Sequence, residues 1–80
     1  MIIKVLGPGC SNCVKLYSEV QQAVAEANIE ATVEKVSDIE QIMSYRVMSS
    51  PALVINETVV VAGRIPSRKE IAKLIADAAG

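Results

Sequence analysis

Two short apolar runs, separated by a helix-length amphipathic stretch, restrict this chain more than anything else in it. Ile2-Ile3-Lys4-Val5-Leu6 is nearly all apolar and rich in β-branched residues, as suits a strand covered on both faces. Gly7-Pro8-Gly9 stops it. From Ser11 to Ala27 the apolar residues Cys13, Tyr17, Val20, Val24 and Ala27 recur at alternating steps of four and three. That is one stripe of an amphipathic helix, and Asn28 is a suitable place for it to end. Ala31 to Val36 reads as a second strand. Strands joined across a helix run parallel, and such βαβ crossovers are right-handed.

The second half continues the pattern. Ser37-Asp38-Ile39-Glu40 carries a capping-box spacing, which predicts a helix from about Asp38 to Arg46. Ala52-Leu53-Val54-Ile55 and Thr58-Val59-Val60-Val61 are two strands with only Asn56-Glu57 between them, an antiparallel hairpin. Gly63 ends the fourth strand. Pro66-Ser67 opens a last helix with a second capping box, Ser67 and Glu70, and an inner stripe of Ile71, Leu74, Ile75 and Ala78. The order is β-α-β-α-β-β-α, α/β in class, and residues 1–80 read as one domain.

Composition then removes whole classes of function. There is no histidine, which excludes Cys–His and Ser–His catalysis and any imidazole-bound metal. Eight basic against nine acidic residues leave a net charge of −1, so no nucleic-acid partner is expected. No apolar run approaches the ~20 residues of a membrane span. The first stretch is broken by Lys4 and then by Gly7-Pro8-Gly9, unlike a secretory leader. The expectation is a cytoplasmic, monomeric protein with no membrane partner and a purely aliphatic core, since the chain has two Tyr and neither Phe nor Trp.

What remains is a pair of cysteines. Cys10-Ser11-Asn12-Cys13 falls where the first strand hands over to the first helix. Helix positions three apart share a face with Cβ atoms roughly 5–6 Å apart. Disulfides favour Cα separations of roughly 4.4–6.8 Å, so this spacing admits both a dithiol and a disulfide. The unpaired N–H groups and positive dipole end of a helix stabilise an anion there, and such positions lower a cysteine pKa from ~8.5 toward ~3.5–7.5. The first eighteen residues add Lys4 and Lys15 and no carboxylate. Cys10, ahead of the first full turn, is the candidate nucleophile and the more acidic thiol. Cys13, one turn in and on the core stripe, is the candidate resolving thiol. Its displacement of a mixed disulfide at Cys10 needs no histidine. Two other readings of the pair stay open at this level: two buried small hydrophobes, or half of a metal site completed by another chain.

The placement of Gly9-Cys10-Ser11-Asn12-Cys13 after strand one, Ser50-Pro51 before strand three and Gly63 after strand four resembles the thioredoxin fold, in its small glutaredoxin-like form, over essentially all 80 residues. The chain looks like the short archaeal and bacterial redox-active disulfide proteins. That resemblance implies a four-stranded mixed sheet in the order 2-1-3-4 with helices on both faces. It also implies thiol–disulfide oxidoreductase activity on disulfide-containing clients, with the Cys10–Cys13 disulfide itself as the only redox group and a thioredoxin reductase-type flavoenzyme as donor. It gives Pro51 a cis peptide and gives Ser50 and Pro51 the pairing with the bound client chain, with Gly63 beside them. Three departures stand out. Ser11-Asn12 is neither the Gly-Pro of typical thioredoxins nor the Pro-Tyr of typical glutaredoxins. Gly9 replaces the tryptophan that usually precedes the pair. Arg64-Ile65-Pro66 follows Gly63, without the second glycine and acidic residue that glutaredoxins use to hold glutathione.

The start also resembles a heavy-metal-associated copper chaperone, in which Met-x-Cys-x-x-Cys follows strand one. Here Pro8 stands at the Met position. Two thiolates are a sound soft pair for Cu(I). That family runs β-α-β-β-α-β and ends in a strand, so sheet topology separates the two readings. Among the other residues, Tyr17 lies one turn past Cys13, Met43 and Met48 read as core gap-fillers, and Glu26, Glu30, Glu34, Lys35 and Arg64 read as solvated surface.

Overall fold

In a computed structural model that describes residues 1–9, 11–47 and 51–79, the apolar run Ile2–Leu6 forms β1. It is followed by α1 (Ser11–Ala27), β2 (Thr32–Val36), α2 (Ile39–Ser44), β3 (Ala52–Ile55), β4 (Thr58–Ala62) and α3 (Arg68–Ala79). The sheet order is β2-β1-β3-β4. β1 is parallel to β2, with Ile3 opposite Val33 and Leu6 opposite Val36. It is antiparallel to β3, with Ile3 opposite Ile55 and Leu6 opposite Ala52. β3 and β4 form the hairpin, which carries a bulge between Leu53 and Val54: Leu53 faces Val61 and Val54 faces Val59. The expected topology and mixed sheet are both present.

The period-two geometry of strands divides the interior into two layers. Ile3 and Val5 of β1 and Leu53 and Ile55 of β3 point to one face, against Leu16, Val20 and Ala23 of α1 and Ile71 and Ile75 of α3. Leu6, Ala52 and Val54 point to the other, against Val36, Ile42 and Val47. All four residues of β3 are buried, as the all-apolar sequence of a strand covered on both faces requires.

β1 is not buried throughout. Ile2 is exposed and Lys4, facing α2, is half-buried. The Lys4 ammonium donates to the Tyr45 hydroxyl at 2.8 Å and to Glu57 Oε1 at 3.0 Å, and the Tyr45 hydroxyl donates to Glu57 Oε2 at 3.1 Å. Hydrogen bonding to Tyr45 and then to Glu57 holds the ammonium above the usual lysine range. This closed network sits beside the six-residue α2.

Helix ends correct several expectations. Asn28 does end α1, at φ +55°. Its N–H donates to the Ala25 carbonyl at 3.2 Å and the Ile29 N–H to the Val24 carbonyl at 3.4 Å. Those are the two bonds of a Schellman motif. The buried face of α1 is Cys13, Leu16, Val20 and Ala23. Tyr17 and Val24 are only half-buried and Ala27 is exposed, so the predicted stripe is rotated. α1 packs against α3 as well as the sheet, which moves its inner face round. α2 is capped by Asp38, whose Oδ1 accepts the Glu40 N–H at 2.9 Å, rather than by Ser37. It stops at Ser44, with Tyr45 as its C-cap, and Arg46 follows at φ +60°. At α3 only half of the predicted box forms. Ser67 Oγ accepts the Glu70 N–H at 3.2 Å, but the Glu70 carboxylate binds Arg64. The hairpin turn residues Asn56 and Glu57 both adopt positive φ, at +50° and +68°, as a two-residue primed turn demands even without glycine.

Candidate active site

The sheet register gathers the candidate residues at one end. Leu6 lies opposite Ala52, and Ala52 opposite Ala62. The next residues outward are Gly7, Pro51 and Gly63, at the same end of the sheet as the start of α1. Gly7 continues the parallel ladder, its N–H donating to the Val36 carbonyl at 2.9 Å. Pro51 is buried, and its carbonyl accepts the Gly63 N–H at 2.9 Å. Gly63 has φ +79°, in the region where a side chain is penalised. Two positions named from sequence, Pro51 and Gly63, are thus in direct contact. Cys10 and Ser50 lie outside the described residues, as do Met48 and Ser49.

Cys13 occupies the first turn of α1 and has no solvent exposure. Ser11 and Asn12 beside it are exposed, and Gly9 is exposed at φ +99°. The floor under Cys13 is Gly7. A Cβ placed on Gly7 would overlap the Cys13 sulfur and come within 2.8 Å of the Cys13 Cβ. Sequence reading took Gly7 only as the end of a strand. Its one advance signal is that a buried strand passes straight into a glycine just ahead of a proline.

The electrostatics of the helix start are simple. No carboxylate lies in the first turn of α1, so the positive end of the dipole is locally unopposed. Lys4, counted from sequence as part of the cationic surroundings, is turned toward α2 and paired with Glu57. Glu19, the first acidic residue, is held below the usual carboxyl range, first by the hydrogen bond from Arg68 and then by the Arg68 and Lys15 charges. Arg64 is bound through both terminal nitrogens by the Glu70 carboxylate. Tyr17 lies under the Lys35 ammonium, 5.7 Å from its ring centre. Met43 is 65% exposed on α2, so it fills no gap in the core. An open depression of about 540 Å³ lies between α1 and the start of α3, lined by Lys15, Glu19, Arg68 and neighbours. Arg68 bonds Glu19 at 2.7 Å and Glu26 at 3.3 Å within it.

A helix, α2, stands between β2 and β3, and β4 is followed by α3, an order different from the β-α-β-β-α-β of the copper chaperones. Among the described residues no helix is long and apolar enough to cross a membrane. A family model described as a thioredoxin domain matches residues 1–76. The chain is similar to the thioredoxin of Methanothermobacter thermautotrophicus, 33% identical over 75 residues that cover 94% of this chain and 97% of that protein. It is also similar to the thioredoxin of Methanocaldococcus jannaschii, 35% identical over 71 residues that cover 89% of this chain and 81% of that protein.

Proposed function

Because the chain belongs to the thioredoxin domain family of thiol–disulfide oxidoreductases, we propose that it exchanges a Cys10/Cys13 dithiol with the disulfides of protein or small-molecule partners. The observation that supports this most is the burial of Cys13 within the first turn of α1. A thiol with no exposed surface cannot make first contact with a partner disulfide, so the entering sulfur is Cys10. Its thiolate attacks one sulfur of the partner and forms a mixed disulfide while the other partner sulfur leaves as a thiolate. Cys13 then gives up its proton and attacks the Cys10 sulfur, closing Cys10–Cys13 and releasing the second partner thiolate. Two electrons pass from the protein to the partner, and the two released thiolates take up protons.

Pro51 and Gly63 border the site, and an extended client chain pairs with the Ser50–Pro51 segment. Ser11 and Asn12 offer an exposed first turn beside the reacting sulfur. A flavoenzyme of the thioredoxin reductase class restores the dithiol in the cytoplasm. No group beyond the Cys10–Cys13 couple is needed for the exchange.

The test is a dithiothreitol redox titration read by thiol-trapping mass shift, with and without Cu(I). The expected result is one reversible two-electron transition, lost in both Cys10→Ser and Cys13→Ser. Iodoacetamide should label Cys10 in the folded reduced protein and reach Cys13 only after denaturation. Equal labelling of the two thiols, or tight stoichiometric copper uptake with no defined redox midpoint, overturns the proposal.

A further inference from the structure

We propose that Gly7 is a positioning residue for the resolving step, holding open the seat in which the Cys13 sulfur lies; the assignment rests on the exchange reaction proposed above. Three observations converge on it. A side chain at position 7 would coincide with the Cys13 sulfur and crowd its Cβ. Such a contact is far inside ordinary packing distance, so something must move. Gly7 itself is held: it is buried and its N–H is bonded to the Val36 carbonyl at 2.9 Å. Next to it, Leu6 is wholly buried and paired with both β2 and β3. α1 is held as well, through Leu16, Val20 and Ala23, in the layer it shares with α3 and the sheet.

With strand and helix both held, an added methyl forces the Cys13 sulfur into another rotamer, together with a small backbone shift that eases the approach to the Cys13 Cβ, which that rotation does not move. Disulfide closure tolerates little of this. It requires an S–S bond of about 2.05 Å and a dihedral near ±90° across it. A Cys13 sulfur displaced from its seat must return to it before the bond closes, so resolution of the mixed disulfide slows and the closed disulfide becomes easier to reduce. The entering step uses the Cys10 sulfur and leaves that of Cys13 unreacted.

The two steps can be read apart with 5,5′-dithiobis(2-nitrobenzoate), one molecule per reduced protein. The Cys10 thiolate displaces the first thionitrobenzoate, and Cys13 displaces the second as Cys10–Cys13 closes. For Gly7→Ala the first release stays within about twofold of wild type and the second slows at least tenfold. The equilibrium of the pair with dithiothreitol shifts at least tenfold toward the dithiol, about 30 mV for a two-electron couple. A purely structural role for Gly7 would move both releases together, and that result overturns the assignment. So does a second release at the wild-type rate or faster. Wild-type protein that releases a single equivalent overturns the exchange reading and this one together. Where Gly7→Ala fails to fold, the decision passes to the wild type. Nuclear Overhauser contacts between the Gly7 α-protons and the Cys13 β-protons, in both redox states, support the seat; their absence overturns it.

Discussion

Gly9 offers a clean measure of backbone strain next to the reactive pair. Its φ is +99°, and a Cβ built on it meets nothing within 4 Å. Replacement by alanine therefore introduces strain and no clash, the opposite of Gly7. An L-residue held in left-handed space costs about 1–2 kcal/mol. Against that, alanine restricts the unfolded chain and returns about 0.4–1 kcal/mol. Gly9→Ala should thus destabilise by about 0–1.6 kcal/mol. D-alanine at position 9 prefers the left-handed region, so only the unfolded-state gain remains and the protein becomes more stable by about 0.4–1 kcal/mol. The two epimers restrict the unfolded chain equally, so their difference isolates the folded-state strain, about 1–2 kcal/mol. The sequence makes the experiment practical, because a 1–9 peptide thioester joins a 10–80 fragment at the Cys10 amine. Urea unfolding in reductant is the assay. With a slope of about 1 kcal/mol/M for a chain this small, the epimer midpoints should differ by about 1–2 M. Equal midpoints, or a D-epimer less stable than the L-form, would refute the reasoning.

Two further outcomes follow from the packing and the charges. Ile71, wholly buried between α1 and the sheet, should lose about 2–5 kcal/mol on truncation to alanine. Ile39→Ala, at a site 56% exposed, should stay within about 0.5 kcal/mol, and comparable losses in the two variants would contradict the layer assignment. The carboxyls of Glu19, Glu57 and Glu70 are held below their usual range by hydrogen bonds from Arg68, Lys4 and Arg64 respectively. The unfolded chain therefore binds protons at higher pH than the folded one. This contribution to stability is complete above about 4.5 and declines as pH falls below that. Denaturant midpoints should drop between pH 6 and pH 3, and the drop should be smaller in Lys4→Met, which releases Glu57. An identical drop in that variant would count against the Lys4 network.

What could be read from the sequence was local. The β1–α1–β2 unit is written in runs and steps of three and four, and the spacing of Cys10 and Cys13 is itself a short-range quantity. Asp38 rather than Ser37 caps α2 because both residue types accept helix N–H groups and they are neighbours; only the backbone decides which comes into range. The α1 stripe was misplaced because Leu16 and Tyr17, like Ala23 and Val24, are adjacent apolar candidates. Choosing between them requires knowing where α3 lies. Lys4 looked like an interruption in a strand because its partners, Tyr45 and Glu57, are 41 and 53 residues away. Gly7 is close to Cys13 in sequence, yet its contact depends on the angle at which α1 leaves the sheet.

The β3–β4 hairpin counts residues on behalf of the site. Next to the turn, Ile55 faces Thr58 and Val54 faces Val59; beyond the bulge, Leu53 faces Val61 and Ala52 faces Ala62. One additional residue on β4, Val60, advances the outer half of the ladder by a single step. Were Val60 paired in a regular ladder instead, Pro51 would meet Ala62, a residue ill suited to the φ of +79° found at Gly63. Val60 thus works as a vernier: by standing unpaired it dials Gly63, and not its neighbour, up against the proline.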